Sequence, residues 1–163
     1  MITIDVMRPQ DWDRVRSIYQ EGIATGHATF ETEAPAREHW DAAHLKDARL
    51  VAREGDAVLG WAALSGVSGR CVYAGVAEVS VYVAAAARGR GVGRALLQAL
   101  IAESERRGIW SLQAGVFPEN RASLDLHLKC GFRQVGRRER LGRLGSVWRD
   151  VILLERRSST VGV

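Results

Sequence analysis

The sequence predicts an α/β domain of the α+β kind: a mixed, mostly antiparallel central sheet of about seven strands flanked by about four helices. Two observations carry that prediction. Segments with strand and helix character follow the order β α α β β β α β α β β. The regular βαβ alternation of a doubly wound Rossmann sheet is missing from it. Residues 1–163 also hold no internal repeat, low-complexity stretch or linker, so one domain is expected.

Each element has its own warrant. "ITIDVMR" alternates Ile2, Ile4 and Val6 with polar partners, a strand signal. "PQDWDRVRSIYQEGI" follows Pro9 and sets Trp12, Val15, Ile18 and Tyr19 on one helical face. "ATGHATFETEAP" reads as a loop and "AREHWDAAHLK" as a second, short helix. "ARLVARE" and "AVLGWAALSG" are strands joined by Gly-Asp, which predicts a hairpin. "VYAGVAEVSVYV" is a longer strand with Glu78, Ser80 and Tyr82 on one face and Val79, Val81 and Val83 on the other. The next helix buries Val92, Leu96, Leu97, Leu100 and Ile101. "WSLQAGVF" is a strand, and "PENRASLDLHLKCGF" is a capped helix that stops at Gly131. "FRQVGRRERL" and "SVWRDVILLER" close the sheet, with "RRERLGR" (137–143) read as a solvated hairpin.

Composition narrows the function classes. An apolar share of 47% and a charged share of 26% are ordinary for a soluble globular domain. No stretch approaches the roughly 20 apolar residues that span a bilayer. The N-terminal segment is acidic early and lacks a signal peptide's apolar centre, so a cytoplasmic protein is expected. Cys71 and Cys130 belong to no CxxC or Cys/His cluster; structural zinc is not expected, and both should be reduced thiols. The net charge is +4 and the pI about 9.6, with 21 of the 23 basic residues arginine. That balance favours an anionic partner. No basic tail or aromatic-interleaved motif marks a specific nucleic-acid binder, and a small polyanionic cofactor explains the charge equally well.

The segment "EVSVYVAAAARGRGVGRALLQAL" (78–100) reads as strand, glycine/arginine loop and helix. A helix N-terminus carries about four unpaired N–H groups and roughly half a positive charge, so it attracts phosphate. Gly89, Gly91 and Gly93 let the backbone approach an anion, and Arg88, Arg90 and Arg94 surround it. A pyrophosphate is the natural ligand. The Walker pattern fails because Arg94 and Ala95 stand where Lys-Ser/Thr is required. The dinucleotide fingerprint fails because Arg94 replaces its last glycine and "WSLQAGVF" carries no acid. A simple helix-start turn with solvated arginines remains the alternative reading of the loop by itself.

Further residues carry a resemblance. "RGRGVG" is similar to the Q/R-x-x-G-x-G/A loop of the GNAT acetyltransferases, and "NRASLDLHLKCGF" to their N-x-x-A-x-x-L-[YH]-x-x-x-GF segment. The element order resembles the GNAT fold along nearly the whole chain. Four patches resemble the phosphinothricin/methionine sulfoximine acetyltransferase branch: "ATFETEAP" (28–35), "RCVYAGVAEVSVYV" (70–83), the Leu-His pair ending at His127, and "WRDVILLER". The chain departs from that branch by about one residue before Trp148 and carries Ala74 where some relatives have arginine. The resemblance implies transfer of an acetyl group from acetyl-CoA to the amine of a small amino-acid-like acceptor, with no metal, and a homodimer.

Acetyl transfer needs a neutral amine, donors for the carbonyl oxygen and a stabiliser for the departing thiolate. Glu78, on the strand leading to the glycine loop, is the candidate base; a surface or ion-paired carboxylate is the alternative. His127 shares a helical face with Ser123, Leu126 and Cys130, so it is either a catalytic acid near the thiol or an ordinary inward histidine. The resemblance implies that the backbone of Val81, Tyr82 and Val83 holds the pantetheine where the sheet splays. It also assigns the pyrophosphate to residues 88–94, Val92 included. Asn120 and Ser123, at the start of their helix, would meet the cofactor from the other side; Asn120 also reads as an N-cap. Phe30, Glu31, Arg70 and Tyr73 are the implied acceptor contacts, with Arg70 suited to a carboxylate. Another amine (a polyamine, an aminoglycoside or a protein N-terminus) and a non-catalytic acyl-CoA-binding module are the competing functions.

Overall fold

In the computed structural model, which describes residues 1–163, a seven-stranded sheet has the order β1-β2-β3-β4-β5-β7-β6. The strands are β1 (Ile2–Val6), β2 (Leu50–Glu54), β3 (Ala57–Gly66), β4 (Val76–Val83), β5 (Ser111–Val116), β6 (Arg133–Leu144) and β7 (Val147–Arg157). The helices are α1 (Trp12–Ala24), α2 (Arg37–Ala43), α3 (Val92–Arg106) and α4 (Arg121–Lys129). Only β4 and β5 pair in parallel; every other neighbour is antiparallel. The mixed, mostly antiparallel architecture read from the sequence is therefore the one observed.

The period-two alternation of β4 decides which helix packs where. A Cβ on Gly22 of α1 would lie 2.7 Å from the Tyr82 ring, whereas one on Gly93 of α3 would meet Val83 and Leu126 of α4. So α1 covers the face carrying Glu78, Ser80 and Tyr82, and α3 and α4 cover the face of the valines. Helix α2 joins α1 on its face, because Trp40 packs edge-on to Trp61, the register partner of Tyr82. The core on the first side is aromatic and includes Ile18, Trp40 and Trp61. On the second it is aliphatic, with Leu96, Leu97, Leu100 and Leu112 almost fully enclosed. Burying each such side chain is worth roughly 1.5–3 kcal/mol, and this burial rather than helix propensity holds the layers together.

Three elements differ from the sequence reading. The β4 strand begins at Val76, not Val72, and Cys71–Tyr73 is a short 3₁₀ turn. Gly75 is the reason. Its carbonyl accepts from both Trp110 N and Ser111 N, and a Cβ there would sit 2.0 Å from the Trp110 ring. Helix α2 stops at Ala43, because His44 turns extended and Leu45 N bonds to Leu64 O at 2.8 Å. The run 137–143 lies inside β6 rather than at its hairpin tip. A bulge between Arg138 and Gly142 accommodates it, with Arg140 at φ +44° and its N–H donated to Asp150 Oδ1 at 2.8 Å.

Candidate active site

The β4–β5 pairing sets the geometry. It runs through Val76↔Ser111, Ala77↔Leu112 and Glu78↔Gln113 and then ends, although both strands continue. Beyond that point each strand follows its outer neighbour. Gly60↔Val83 keeps β4 on β3, and Val116↔Ile152 keeps β5 on β7. The sheet therefore opens like a V with Glu78 at its apex. A cavity of about 1020 Å³ occupies the opening. Residues from both faces line it, Tyr19 and Gly22 on one side and Gly93, Leu126 and His127 on the other, so it passes through the sheet. Its volume is at the upper end of small-molecule sites, which suits an extended cofactor arm plus an acceptor.

Glu78 is half-buried at this apex, between Ser65 on β3 and Gln113 on β5. Gln113 Nε2 donates to its Oε1 at 3.4 Å. No cation pairs with Glu78. Its carboxylate is thus held by a neutral amide and keeps acceptor capacity toward the cavity.

The glycine loop meets the other end of the opening. Gly89 and Gly91 both have φ +79°, a conformation that costs other residues about 1–2 kcal/mol. Gly91 is the N-cap of α3 but makes no side-chain cap bond, and the first bond back to it comes from Ala95 N at 3.1 Å. The leading N–H groups of α3 are left for a ligand. Arg88, Gly89, Gly91, Val92 and Gly93 line the cavity. Arg90 and Arg94 do not: Arg90 turns to Glu54 at 2.5 Å on the surface, and Arg94 is exposed on the first turn of α3. Of the three arginines, the structure therefore brings only Arg88 to the site. Val81, Tyr82 and Val83 line the gap, and their strand edge toward β5 has no partner strand.

His127 is 5% exposed on α4 and meets Phe132 edge-on. Its Nδ1 lies 2.7 Å from Ser123 O, a carbonyl that can only accept, so Nδ1 carries the proton and Nε2 the lone pair. Burial pushes its pKa below the ordinary value, and the ring is neutral near pH 7. Asn120 proves to be the N-cap, accepting from Ser123 N at 3.2 Å, while its Nδ2 donates to His27 O at 3.1 Å. Asn120 and Ser123 both line the cavity as well.

Of the implied acceptor contacts, Phe30 and Glu31 line the cavity. Phe30 packs edge-on to Phe117, and Gly142 leaves space for its ring tip. Arg70 and Tyr73 lie outside. They sit exposed before β4, with the Arg70 guanidinium 5.5 Å above the Tyr73 ring. The turn that Gly75 imposes holds both residues away from this chain's own cavity.

Sequence reasoning missed two residues. Arg149 on β7, only 9% exposed, donates to Gly26 O at 2.9 Å, His27 Nδ1 at 3.0 Å and Glu119 Oε2 at 3.3 Å. Its guanidinium lies 4.1 Å over Phe117. It ties the loop carrying Phe30 and Glu31 to the rim of the opening. His44 lines the cavity from the α2 side, bonded through Nδ1 to Trp40 O at 2.7 Å. Neither cysteine lines the cavity; Cys71 is exposed and Cys130 buried, both as free thiols. No group of three or more His, Cys, Asp or Glu side chains is placed to hold a metal ion.

Residues 12–132 match the acetyltransferase (GNAT) family. The chain belongs to the GNAT family. It is an acetyl-CoA-dependent N-acetyltransferase. Among its relatives, the phosphinothricin N-acetyltransferase of Alcaligenes faecalis is 38% identical over 94% of this chain and 81% of its own length. The L-methionine sulfoximine/L-methionine sulfone acetyltransferase of Pseudomonas paraeruginosa is 29% identical over 89% of this chain and 88% of its own length. The crystal structure of a GNAT phosphinothricin acetyltransferase from Sinorhizobium meliloti in complex with acetyl-CoA superposes with a TM-score of 0.88. That pair is 26% identical and covers 99% of this chain and 90% of that one. The residues present suit such a cofactor: a split sheet with a free strand edge for an amide-bearing arm, and uncapped helix N–H groups for a pyrophosphate.

Proposed function

We propose that this GNAT enzyme acetylates the primary amine of a small amino-acid-like acceptor of the phosphinothricin or methionine sulfoximine type, by direct transfer in a ternary complex. The observation that carries the reading is the end of β4–β5 pairing at Glu78↔Gln113, which leaves the Glu78 carboxylate at the apex of the open cavity; in this reading the cofactor arm and the acceptor meet there. The names of the relatives above support the substrate class. The lack of a thiol in the cavity supports direct transfer over an acetyl-cysteine intermediate.

In this reading the pyrophosphate rests on Gly89, Gly91, Gly93 and the first turn of α3, with Arg88 beside it. The pantetheine bonds the open edge of Val81–Val83. Glu78, directly or through a water, takes the ammonium proton; the freed amine attacks the thioester carbon, and the C–S bond breaks as the amide forms. The departing sulfur needs a proton. Neutral His127 accepts the remaining amine proton at Nε2 and hands it on, rather than starting as an imidazolium acid. Phe30 and Glu31 contact the acceptor. Arg70 and Tyr73 meet an acceptor only across a homodimer, which we also propose. Exposed Val72, Tyr73 and Trp148 offer apolar surface for it. No helix is long and apolar enough to cross a membrane; a cytoplasmic location is part of the same proposal and does not follow from that.

The test is release of CoA thiol with acetyl-CoA and a panel holding phosphinothricin, methionine sulfoximine, common amino acids, a polyamine and an aminoglycoside. Turnover concentrated on the amino-acid-like amines is expected. Turnover confined to the polyamine or aminoglycoside, or acetyl-CoA binding without turnover of any amine, defeats the reading.

A further inference from the structure

The loop that carries Phe30 and Glu31 is fastened differently along its length. At its start, Thr25 Oγ1 donates to Gly22 O at 2.7 Å and accepts from His27 N at 3.2 Å. At its end, Ala34 N donates to Gln20 Oε1, and Arg16 donates to Ala34 O and Pro35 O, all at 3.2 Å. These partners belong to α1, the helix from which the loop departs. In between, the loop is tied across to β7 and to the start of α4, by Arg149 and Asn120. Phe30 packs edge-on to Phe117, and the Arg149 guanidinium lies 4.1 Å over that same Phe117 ring. One side chain therefore holds both the backbone that leads to Phe30 and the ring on which Phe30 rests.

The contact between Arg149 and His27 is the one tie in this set that an imidazole proton can break. A guanidinium only donates, so the 3.0 Å contact with Nη2 requires a bare Nδ1 and puts the ring proton on Nε2. His44 and His127 are set the other way, with Nδ1–H toward a carbonyl, and a second proton leaves those bonds intact. At His27 the second proton goes to Nδ1 itself. It turns the acceptor into a donor facing a donor and sets a cation against a cation. The residue is exposed, so solvent protons reach it.

We propose that His27 is a positioning residue for the acceptor: its neutral ring, by accepting from Arg149, fixes the loop bearing Phe30 and Glu31, and protonation of that ring frees the loop and weakens acceptor binding. The inference rests on the reading above, in which Phe30 and Glu31 contact the acceptor. The glycine loop shares none of these ties, so cofactor binding is left as it is.

The charged groups that meet the ring are Arg149 of β7 and Glu119 ahead of α4. Asn120, which holds the His27 carbonyl, is neutral. Glu31 of the same loop, Tyr19 of α1, Tyr82 of β4 and Arg121 of α4 line the cavity but make no hydrogen bond or ion pair with His27. The Glu119 carboxyl is held below its ordinary value by its own backbone N–H and, more weakly, by Arg149 and His27. It stays ionised where an imidazole titrates. A protonated His27 thus competes with Arg149 for Glu119, a second partner of the same guanidinium.

Three variants separate the titrating ring from the hydrogen bond. H27N offers an amide oxygen near the place of Nδ1 that takes up no proton; H27F removes the acceptor; R149M removes the donor. With whichever amine the wild type turns over, acceptor KM should rise roughly 3- to 10-fold from pH 8 to pH 5.5, in protein checked as folded by circular dichroism. The rise should follow the pH at which the His27 ring takes up its proton by NMR, and KM for acetyl-CoA should show no step there. H27N should keep the wild-type acceptor KM at pH 8 and lose the step. H27F and R149M should show a raised acceptor KM at both pH values, again without the step. A step that persists unchanged in H27N or R149M overturns the proposal, and so does an Nδ1–H ring at pH 8 by nitrogen NMR. A wild type that turns over no amine at any pH defeats the functional reading and this inference with it, whereas one that is active without the step defeats this inference alone.

Discussion

His44 and His127 enter one cavity from opposite faces of the sheet, and each bonds through Nδ1 to the carbonyl four residues earlier, both at 2.7 Å. Each ring is kept neutral by burial, with its pKa below the ordinary value. The sign of the resulting linkage is fixed. Unfolded, each histidine binds a proton below about pH 6.5; folded, it does not until the pH drops further. The unfolded chain therefore binds more protons in that window, and stability must fall as pH is lowered through it. Urea midpoints at pH 7.5 and 5.5 should show a marked decline for the wild type and a smaller one for the double variant H44N/H127N. Equal declines would falsify this assignment of the acid lability.

Glu78 sits where strand pairing stops, held by Gln113 and by no cation. As a base, it matters most when the amine is fully protonated. E78Q is close in shape and keeps the contact with Gln113 through its amide. It should lower kcat about 10²- to 10⁴-fold near pH 7. Higher pH should recover part of the rate, because the ammonium then loses its proton to solvent without help. Stopped thiol-release assays across pH 6–10 give the profile, and a uniform offset between the two curves would remove Glu78 as the base.

Arg88 and Arg90 are two residues apart in one loop but face different ways. Arg88 lines the cavity, while Arg90 pairs with Glu54 across exposed surface. A charge-assisted contact to a phosphate is worth about 1.5–3 kcal/mol, so R88A should raise KM for acetyl-CoA roughly 10- to 100-fold. An exposed ion pair contributes about 0–1 kcal/mol to stability, and R90A should leave that KM nearly unchanged. Raising the salt should narrow the gap between R88A and wild type. Equal effects of the two substitutions would show that the loop acts through its overall charge.

The elements were legible because they repeat locally. The alternation of β4 showed which side chains share a face with Glu78, and the glycine spacing marked the start of α3. The splay was not legible from pattern: it depends on β4 following β3 while β5 follows β7, a register between segments far apart in sequence. The three arginines of the loop look alike in sequence, and only the position of Glu54 on a distant hairpin sends Arg90 outward. Arg70 and Tyr73 were read from resemblance, which carries no information on where Gly75 turns the chain. His44 follows a short helix with no pattern of its own, and nothing local to it marks it as a residue that lines the cavity.

Arg149 offers a test of how the acceptor loop is positioned. It holds that loop through Gly26 O and His27, and Asn120 holds the same His27 from the α4 side. R149M keeps much of the apolar contact with Phe117 but removes the three charge-assisted bonds. Glu119, half exposed in its side chain, stays solvated after the change, so no buried charge is stranded. The loop bearing Phe30 and Glu31 then loses its anchor, while the glycine loop on the far side of the opening does not. KM for the acceptor should rise about 10-fold, with a lowered Tm, and KM for acetyl-CoA should stay near the wild-type value. R149K should recover little, because a point charge cannot reach Gly26 O, His27 and Glu119 together. Steady-state kinetics with each substrate varied in turn separates the cases, and a parallel rise in both KM values would mean that Arg149 supports the fold as a whole rather than the acceptor loop.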